Sequence, residues 1–382
     1  APGRRDAVGT MEPDTALLVL ARAGLPAALL RHLLDSHPDA PAALAAARHG
    51  AGLSLPAATR EALERPCPRR LGADQAWLAG HGRRLLAWSS PDYPALLRRA
   101  ASPPALLFLE GDPSLLWHPQ VAVVGSRRPS AGGRQRAHDF ARCFADAGWA
   151  VTSGLAEGID AAAHEGALAG GGRTLAVIGT GPDQAYPRRN AGLMARIAAD
   201  GLVVSEHPPG TAPVASHFPG RNRIIAGLAL GTLVVEAAQR SGALISARLA
   251  AEAGREVFAL PGSVDNPVAR GCHRLIRDGA ALVETPGEVV AALGPVAASL
   301  AESLRGRLAA GAAGPGGHSA GGQSEPPANH KRLWSALGHD PTGLDELARR
   351  TGLTVAELSS MLLVMELDGR VVADDGRYAR RP

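Results

Sequence analysis

The sequence predicts an α/β protein: a parallel-sheet core, a small N-terminal helical domain before it and a C-terminal winged-helix domain after it. Three observations carry this. Between Gln120 and Gly294, short runs that are apolar throughout alternate with stretches of helical period. Upstream of Ala101, apolar residues recur only at three- and four-residue spacing. Downstream, a Gly-, Ala-, Ser- and Pro-rich segment gives way to a block that reads helix, turn, helix, hairpin.

In chain order, "DTALLVLARAGLPAALLRHLLDSHP" and "PAALAAARHG" give the helical domain, assigned to residues 1–104. Its tail, "SSPDYPALLRRAASPPALLFLEGDP", reads as a docking segment. The sheet domain, residues 105–294, takes its strands from "VAVVG" at 121–125, "AVTSG" at 150–154, "TLAVIG" at 174–179 and "LVVS" at 202–205. "TLVVE" at 232–236, "EVFAL" at 256–260 and "ALVE" at 281–284 complete them. Residues 295–329 read as a flexible linker and 330–382 as the winged helix.

Bulk properties narrow the function. The chain has 382 residues, 46% of them hydrophobic, which suits a globular protein with more than one core. Forty Lys+Arg against 36 Asp+Glu gives a net charge of +4, a weak tilt toward an anionic partner. Lys331 is the only lysine, so arginine is this chain's general cation and each one has to be argued by its place. Cys67, Cys143 and Cys272 form no metal or disulfide spacing. With no run of eighteen apolar residues and no secretory pattern in "APGRRDAVGTMEPD", a cytoplasmic protein without a membrane segment is expected.

In an open parallel sheet, ligands bind beyond the carboxyl ends of the strands. Here those ends read "GSRR", "SGLAEGID", "GTGPDQAYPRRN", "SEHPPG", "EAAQRSGAL" and "PGS". Gly and Ser followed by a helix start suit phosphate binding through N–H groups. No G-x-G-x-x-G and no G-x-x-x-x-G-K-[ST] is present, so neither a dinucleotide nor a nucleoside triphosphate is indicated, and no cofactor or metal is expected. What the edge offers is arginine: Arg127 and Arg128, Arg188 and Arg189, then Arg221 and Arg223 around Asn222. Aromatics make up only 3% of the chain, yet Tyr186 and Phe218 each precede a proline close to these arginines. Stacking rings beside guanidiniums suit single-stranded nucleic acid, although each ring could equally pin its loop by packing.

These stretches, with "HFPGRNRIIAGLA" and "GCHRLIRDGAALV", resemble the DprA (DNA-processing protein A, or Smf) family from about residue 105 to 294, and the tail resembles the family's C-terminal domain. The resemblance implies an extended Rossmann-like domain that binds single-stranded DNA, forms a homodimer and helps load the recombinase RecA in natural transformation and recombination, with no catalytic residue and no enzyme activity. Carried onto this chain, Arg127, Arg188, Arg221 and Arg223 would hold phosphates and Phe218 would stack a base. Asn190 and Asn222 belong to the same motifs, and N–H groups at Gly125, Ser126, Ser241 and Gly242 would donate to further phosphates. The chain departs from the family at Glu157, which would repel phosphate unless an arginine pairs with it, and at Cys272-His273 in the stretch the family uses for dimer contact.

Two other readings stand beside it. The sheet is similar to that of the Lonely-guy phosphoribohydrolases, and Gly231, Thr232 and Glu236 match part of their loop, although its Pro-Gly-Gly is missing. Glu236 could act on a ribose or pair with Arg240 one turn on. Alternatively, the winged helix could regulate by binding duplex DNA, but residues 330–382 hold eight Lys+Arg and eight Asp+Glu, without the basic excess such binding favours. His164 is expected to pack or cap within its helix, and "VAELSSMLLVMELDG" to form core.

Overall fold

The structure, a computed structural model, describes residues 11–49, 55–312, 328–338, 340–353, 358, 361–362, 365, 371–374 and 377–380. Two compact units divide the chain, Ala1–Pro286 and Gly287–Pro382.

The first unit opens with helices α1 (Pro13–Arg22), α2 (Ala27–Ser36), α3 (Ala40–Arg48), α4 (Ala57–Glu64) and α5 (Pro68–Leu78). Proline opens α1 and α5, where its missing N–H costs nothing, and Asp39 caps α3 by accepting from Ala42 N–H at 2.8 Å. Their apolar faces close over Leu17, Leu20, Leu33, Leu44 and Leu63.

That core does not end at residue 104. Strand β1 (Arg83–Ala87), the short helix α6 (Ala95–Arg98) and β2 (Leu106–Gly111) follow, and Ala87 and Leu106 are buried among the helical leucines. β1 and β2 pair antiparallel and extend the sheet, with Arg83 opposite Glu110 in a 2.9 Å ion pair. The expected domain boundary therefore cuts through packed structure, and the expected docking segment is itself part of the sheet. A five-residue strand such as "RRLLA" is too short for its period to stand out from the helices before it.

The remaining strands fall where the apolar runs predict: β3 (Gln120–Val124), β4 (Ala150–Ser153), β5 (Thr174–Ile178), β6 (Leu202–Ser205), β7 (Gly231–Val234), β8 (Glu256–Ala259) and β9 (Ala281–Leu282). They pair parallel, in the nine-strand order β1-β2-β6-β5-β4-β3-β7-β8-β9. Between them run α7 (Ala131–Asp146), α8 (Ile159–Ala169), α9 (Ala191–Asp200), α10 (His217–Leu228), α11 (Ala243–Glu252) and α12 (Arg270–Arg277). The chain winds outward from β3 through β6, then crosses back to β7. The β3/β7 junction is therefore the topological switch point, where the loops part and leave a crevice.

The second unit holds α13 (Pro286–Ala312), α14 (Ala328–Ala336), β10 (Thr342–Gly343), α15 (Leu344–Thr351), β11 (Val371–Asp374) and β12 (Arg377–Arg380). The helix α13 corrects the expectation of a linker from residue 295. Its Ala, Leu, Glu and Arg are good helix formers, and Pro295 is accommodated inside it. Residues 313–327 of the expected linker lie outside the described residues. Strands β10, β12 and β11 form a three-stranded sheet beside the helices, a winged-helix arrangement. Leu358, Met361, Leu362 and Met365 are buried with Leu333 and Leu347, so the described residues of the Leu/Met stripe are core, as expected.

Candidate nucleic-acid interface

At the switch point β3 ends in Val124 and runs into Gly125, where a Cβ would lie 2.6 Å from Ile159 and 2.9 Å from the Glu236 carbonyl. Only glycine fits, and the chain behind it is pinned. Ser126 N–H donates to the Glu236 carbonyl at 2.6 Å, and the Ser126 carbonyl accepts from Ile159 N–H at 3.1 Å. The Ser126 hydroxyl accepts from Arg128 N–H at 3.1 Å. So tight a turn leaves the side chains of Arg127 and Arg128 in solvent.

Across the crevice stands the first turn of α10. Its Phe218 ring lies 5.0 Å from the ring of Tyr186, tilted by 38°, and the Arg127 guanidinium is 6.0 Å from the Phe218 centroid. Phe218 is half-buried, while Tyr186 remains 42% exposed before a cis bond to Pro187. Arginine, phenylalanine and tyrosine thus form one layered wall of a cleft of about 860 Å³. Arg128 and Arg240 line it too, both exposed, as do Pro213 and Ala215.

Among the expected contact residues, Gly125, Ser126, Arg127, Phe218, Arg221, Asn222, Ser241 and Gly242 line this cleft, while Arg188, Asn190 and Arg223 do not. Arg188 is exposed on the 3-10 turn before α9. Asn190 is buried and donates to the Leu155 carbonyl at 2.9 Å, holding the turn after β4. Arg223 pairs with Glu206 at 2.5 Å, with 18% of its side chain exposed. Arg221 and Arg223 are two residues apart, about 200° around a helix, so α10 cannot turn both toward one cleft.

Arg221, which does face it, is buried and already engaged. One terminal nitrogen donates to the carbonyls of Gly154 and Val177, and the other lies 3.8 Å from Asp160. Burial works against charge on both partners, raising the Asp160 pKa and lowering that of Arg221. The guanidinium braces the ends of the sheet beneath the cleft instead of standing out as a phosphate clamp. Two expected N–H donors are likewise taken, Ser126 by Glu236 and Ser241 by the Ala238 carbonyl at 2.9 Å.

Arg240 is the cleft cation that sequence reasoning assigned elsewhere, as a partner for Glu236. Glu236 instead accepts from Ser130 N–H at 2.8 Å, from the Ser130 hydroxyl at 2.6 Å and from Asn266 at 3.1 Å. Both carboxylate oxygens are engaged and the residue is 7% exposed, which suits a structural anchor better than a group acting on a ribose. Glu157 has the arginine it needs, since Arg189 pairs with it at 2.5 Å. His164 is buried between the Thr174 hydroxyl, 2.7 Å from Nδ1, and Leu155 N–H, which donates to Nε2 at 3.3 Å. Cys67 and Cys143 are exposed; Cys272 is buried against the ends of β7, its thiol pushed up to about 11 by burial, while His273 meets the Gly262 carbonyl at 3.0 Å. Among the described residues, no group of His, Cys, Asp or Glu could hold a metal ion, and no helix is long and apolar enough to cross a membrane.

Comparison with known proteins identifies the family and the fold. The sequence profile of DNA recombination-mediator protein A matches residues 84–294, and that of the DprA winged helix domain matches residues 318–377. Protein Smf of Escherichia coli is 40% identical over 315 residues, 82% of each chain. The DNA processing protein DprA of Streptococcus pneumoniae is 46% identical over 220 residues, 57% of this chain and 78% of that one. Its X-ray structure superposes with a TM-score of 0.65 at 38% identity, covering 74% of this chain and 98% of its own. DNA processing protein A of Helicobacter pylori, whose structure concerns a single-stranded DNA binding mode, gives a TM-score of 0.51 at 29% identity over 55% of this chain and 95% of its own.

Proposed function

The chain belongs to the DprA/Smf family of DNA-processing proteins, and from that premise we propose that its switch-point cleft binds single-stranded DNA without chemistry. The observation that carries this reading is the wall of Arg127, Phe218 and Tyr186, an exposed cation over the Phe218 ring, which in turn lies against Tyr186, at the mouth of the cleft. A base can stack on the rings, while Arg127, Arg128 and Arg240 meet the phosphates on either side. The buried Arg221 and Asp160 lie in the lining, already paired with each other, and leave recognition to the exposed rim.

The same premise extends the reading to a homodimer that carries two such clefts, protects single strands in the cytoplasm and delivers them to RecA during transformation or recombination. These further steps rest on family membership alone.

The test is fluorescence anisotropy of labelled oligo-dT titrated with the full chain at two salt concentrations, with duplex and adenosine monophosphate as competitors. Salt-sensitive binding competed only by single strands is expected, because phosphate neutralisation releases counterions. Displacement by the mononucleotide, or no binding, would overturn the proposal. Adding RecA with its nucleotide then shows whether filament formation on the bound strand is accelerated.

A further inference from the structure

Arg22 joins the helical N-terminal region to the loop behind the cleft wall. Arg22, the last residue of α1, donates from Nε to Asp74 Oδ2 at 2.8 Å and from a terminal nitrogen to Oδ1 at 2.6 Å. That same nitrogen donates to the Pro209 carbonyl at 2.6 Å. The Asp74 side chain is 0% exposed, so its charge depends on meeting the guanidinium. A planar fork can face a carboxylate with one edge and still reach a carbonyl, which a lysine ammonium cannot do in the same way.

Pro209 lies in the loop between β6 and α10. Near β6 the loop is held by the Glu206–Arg223 ion pair, by His207 N–H donating to the Ser205 hydroxyl at 3.0 Å and by His207 stacking on His217. Further on, Gly210 N–H donates to Asp183 at 2.7 Å and Gly181 N–H donates to the Thr211 carbonyl at 2.9 Å, and Arg22 is the anchor that comes from the helical region. Residues 212–216 are exposed, so little packing holds them. Yet this stretch supplies Pro213 and Ala215 to the cleft and leads directly into Phe218.

We propose that Arg22 is a positioning residue for the cleft: through Pro209 the helical region holds the β6–α10 loop, and with it the wall that meets a single strand. The inference rests on the single-strand reading of the cleft. It gives the helical region a role in binding without contact to the strand, and it makes α1 and α5 a place from which a second ligand would change DNA affinity.

Three measurements on the full chain test it. In native-state hydrogen exchange of the unaltered protein at low denaturant, the protected amides of residues 206–211 should open together with those of α1 and α5. Opening of the loop at its own denaturant dependence would overturn the proposal. The double variant Arg22→Gln/Asp74→Asn keeps a buried polar pair but is too short to reach Pro209. It should exchange loop amides about tenfold faster and release oligo-dT about three- to tenfold faster, with little change in association. Unchanged exchange and release in the folded double variant would refute it. Arg22→Ala should show the same loop effect together with a less stable helical region. Failure of the unaltered protein to bind any oligonucleotide would remove the single-strand reading, while the exchange measurements would still decide whether Arg22 holds the loop.

Discussion

Glu236 meets Ser130 twice, Oε2 accepting the backbone N–H at 2.8 Å and Oε1 accepting the hydroxyl at 2.6 Å. Ser130 caps α7, and a Cβ on Gly133 would lie 2.4 Å from the Glu236 carboxylate, so the first turn of the helix is built around that group. A negative charge belonging to the chain thus occupies the place where a sheet of this kind usually offers N–H groups to a nucleotide phosphate. Glu236→Ala is expected to lower the unfolding free energy by about 2–4 kcal/mol, through lost charge-assisted hydrogen bonds and the loss of a negative charge at the N-terminal end of the α7 dipole. Urea denaturation measures that loss. Base release from nucleoside monophosphates should be absent in the unaltered protein, and an activity abolished by the substitution would return Glu236 to catalysis.

Arg127 and Arg223 make opposite predictions although both stand in family motifs. Arg127 is exposed over Phe218 at the cleft mouth, whereas Arg223 is paired with Glu206 outside the cleft lining. Arg127→Ala should weaken oligo-dT binding by about 1–3 kcal/mol and flatten the salt dependence by about one released counterion. Arg223→Ala should change binding by less than about 0.5 kcal/mol. Anisotropy titrations over a salt series separate the two, and an equal loss from both would mean that the cleft is drawn in the wrong place.

Arg221→Ala should damage stability first. It leaves Asp160, 6% exposed, without its cation and the carbonyls of Gly154 and Val177 without their donor, at an expected cost of about 3–5 kcal/mol. Arg221→Leu/Asp160→Asn should recover part of that loss, because it removes the unpaired charge as well. Denaturant midpoints of the two variants decide this; an Arg221→Ala protein as stable as the unaltered chain would make Arg221 a free ligand-binding group.

The parallel strands were legible because each is apolar throughout and short, a pattern that only a doubly covered sheet requires. β1 and β2 were not, since their leucines continue the texture of the helices they pack against. Within the cleft, Arg127 and Phe218 could be placed from their position after β3 and at the start of α10. What a motif string does not reveal is angle and occupancy: it sets Arg221, Asn222 and Arg223 side by side, whereas the helix turns Arg221 and Asn222 to the cleft and Arg223 away from it. Equally, an N–H group after a strand reads as available until the carbonyl that takes it is seen, as Glu236 takes Ser126.

His164 gives the fold an acid limit. Burial, chiefly, and the nearby Arg221 depress its pKa from 6.5 to about 3, so the native state holds it neutral between Thr174 and Leu155. The unfolded chain then binds the extra proton between these values, and stability falls as pH drops from about 6.5 toward 3. The slope from this one group approaches about 1.4 kcal/mol per pH unit. His164→Gln, which keeps one donor and one acceptor, should reduce that slope over pH 4 to 6. Chemical denaturation at several pH values reads it directly, and an unchanged slope would mean that other groups set the acid limit.

Deleting Lys331–Pro382 should leave oligo-dT affinity within about twofold of the full chain. The cleft residues all belong to the first unit, and eight cations balanced by eight anions give the tail no net pull on phosphates. Arg349 and Arg350 are moreover ion-paired with Glu346, which reduces what α15 can offer a backbone. Duplex DNA as the titrant provides the contrast: if the winged helix reads duplex, the deletion lowers duplex affinity and spares single strands. A large loss of single-strand affinity would instead place the tail in the binding surface and shift the weight of recognition away from Arg127 and Phe218.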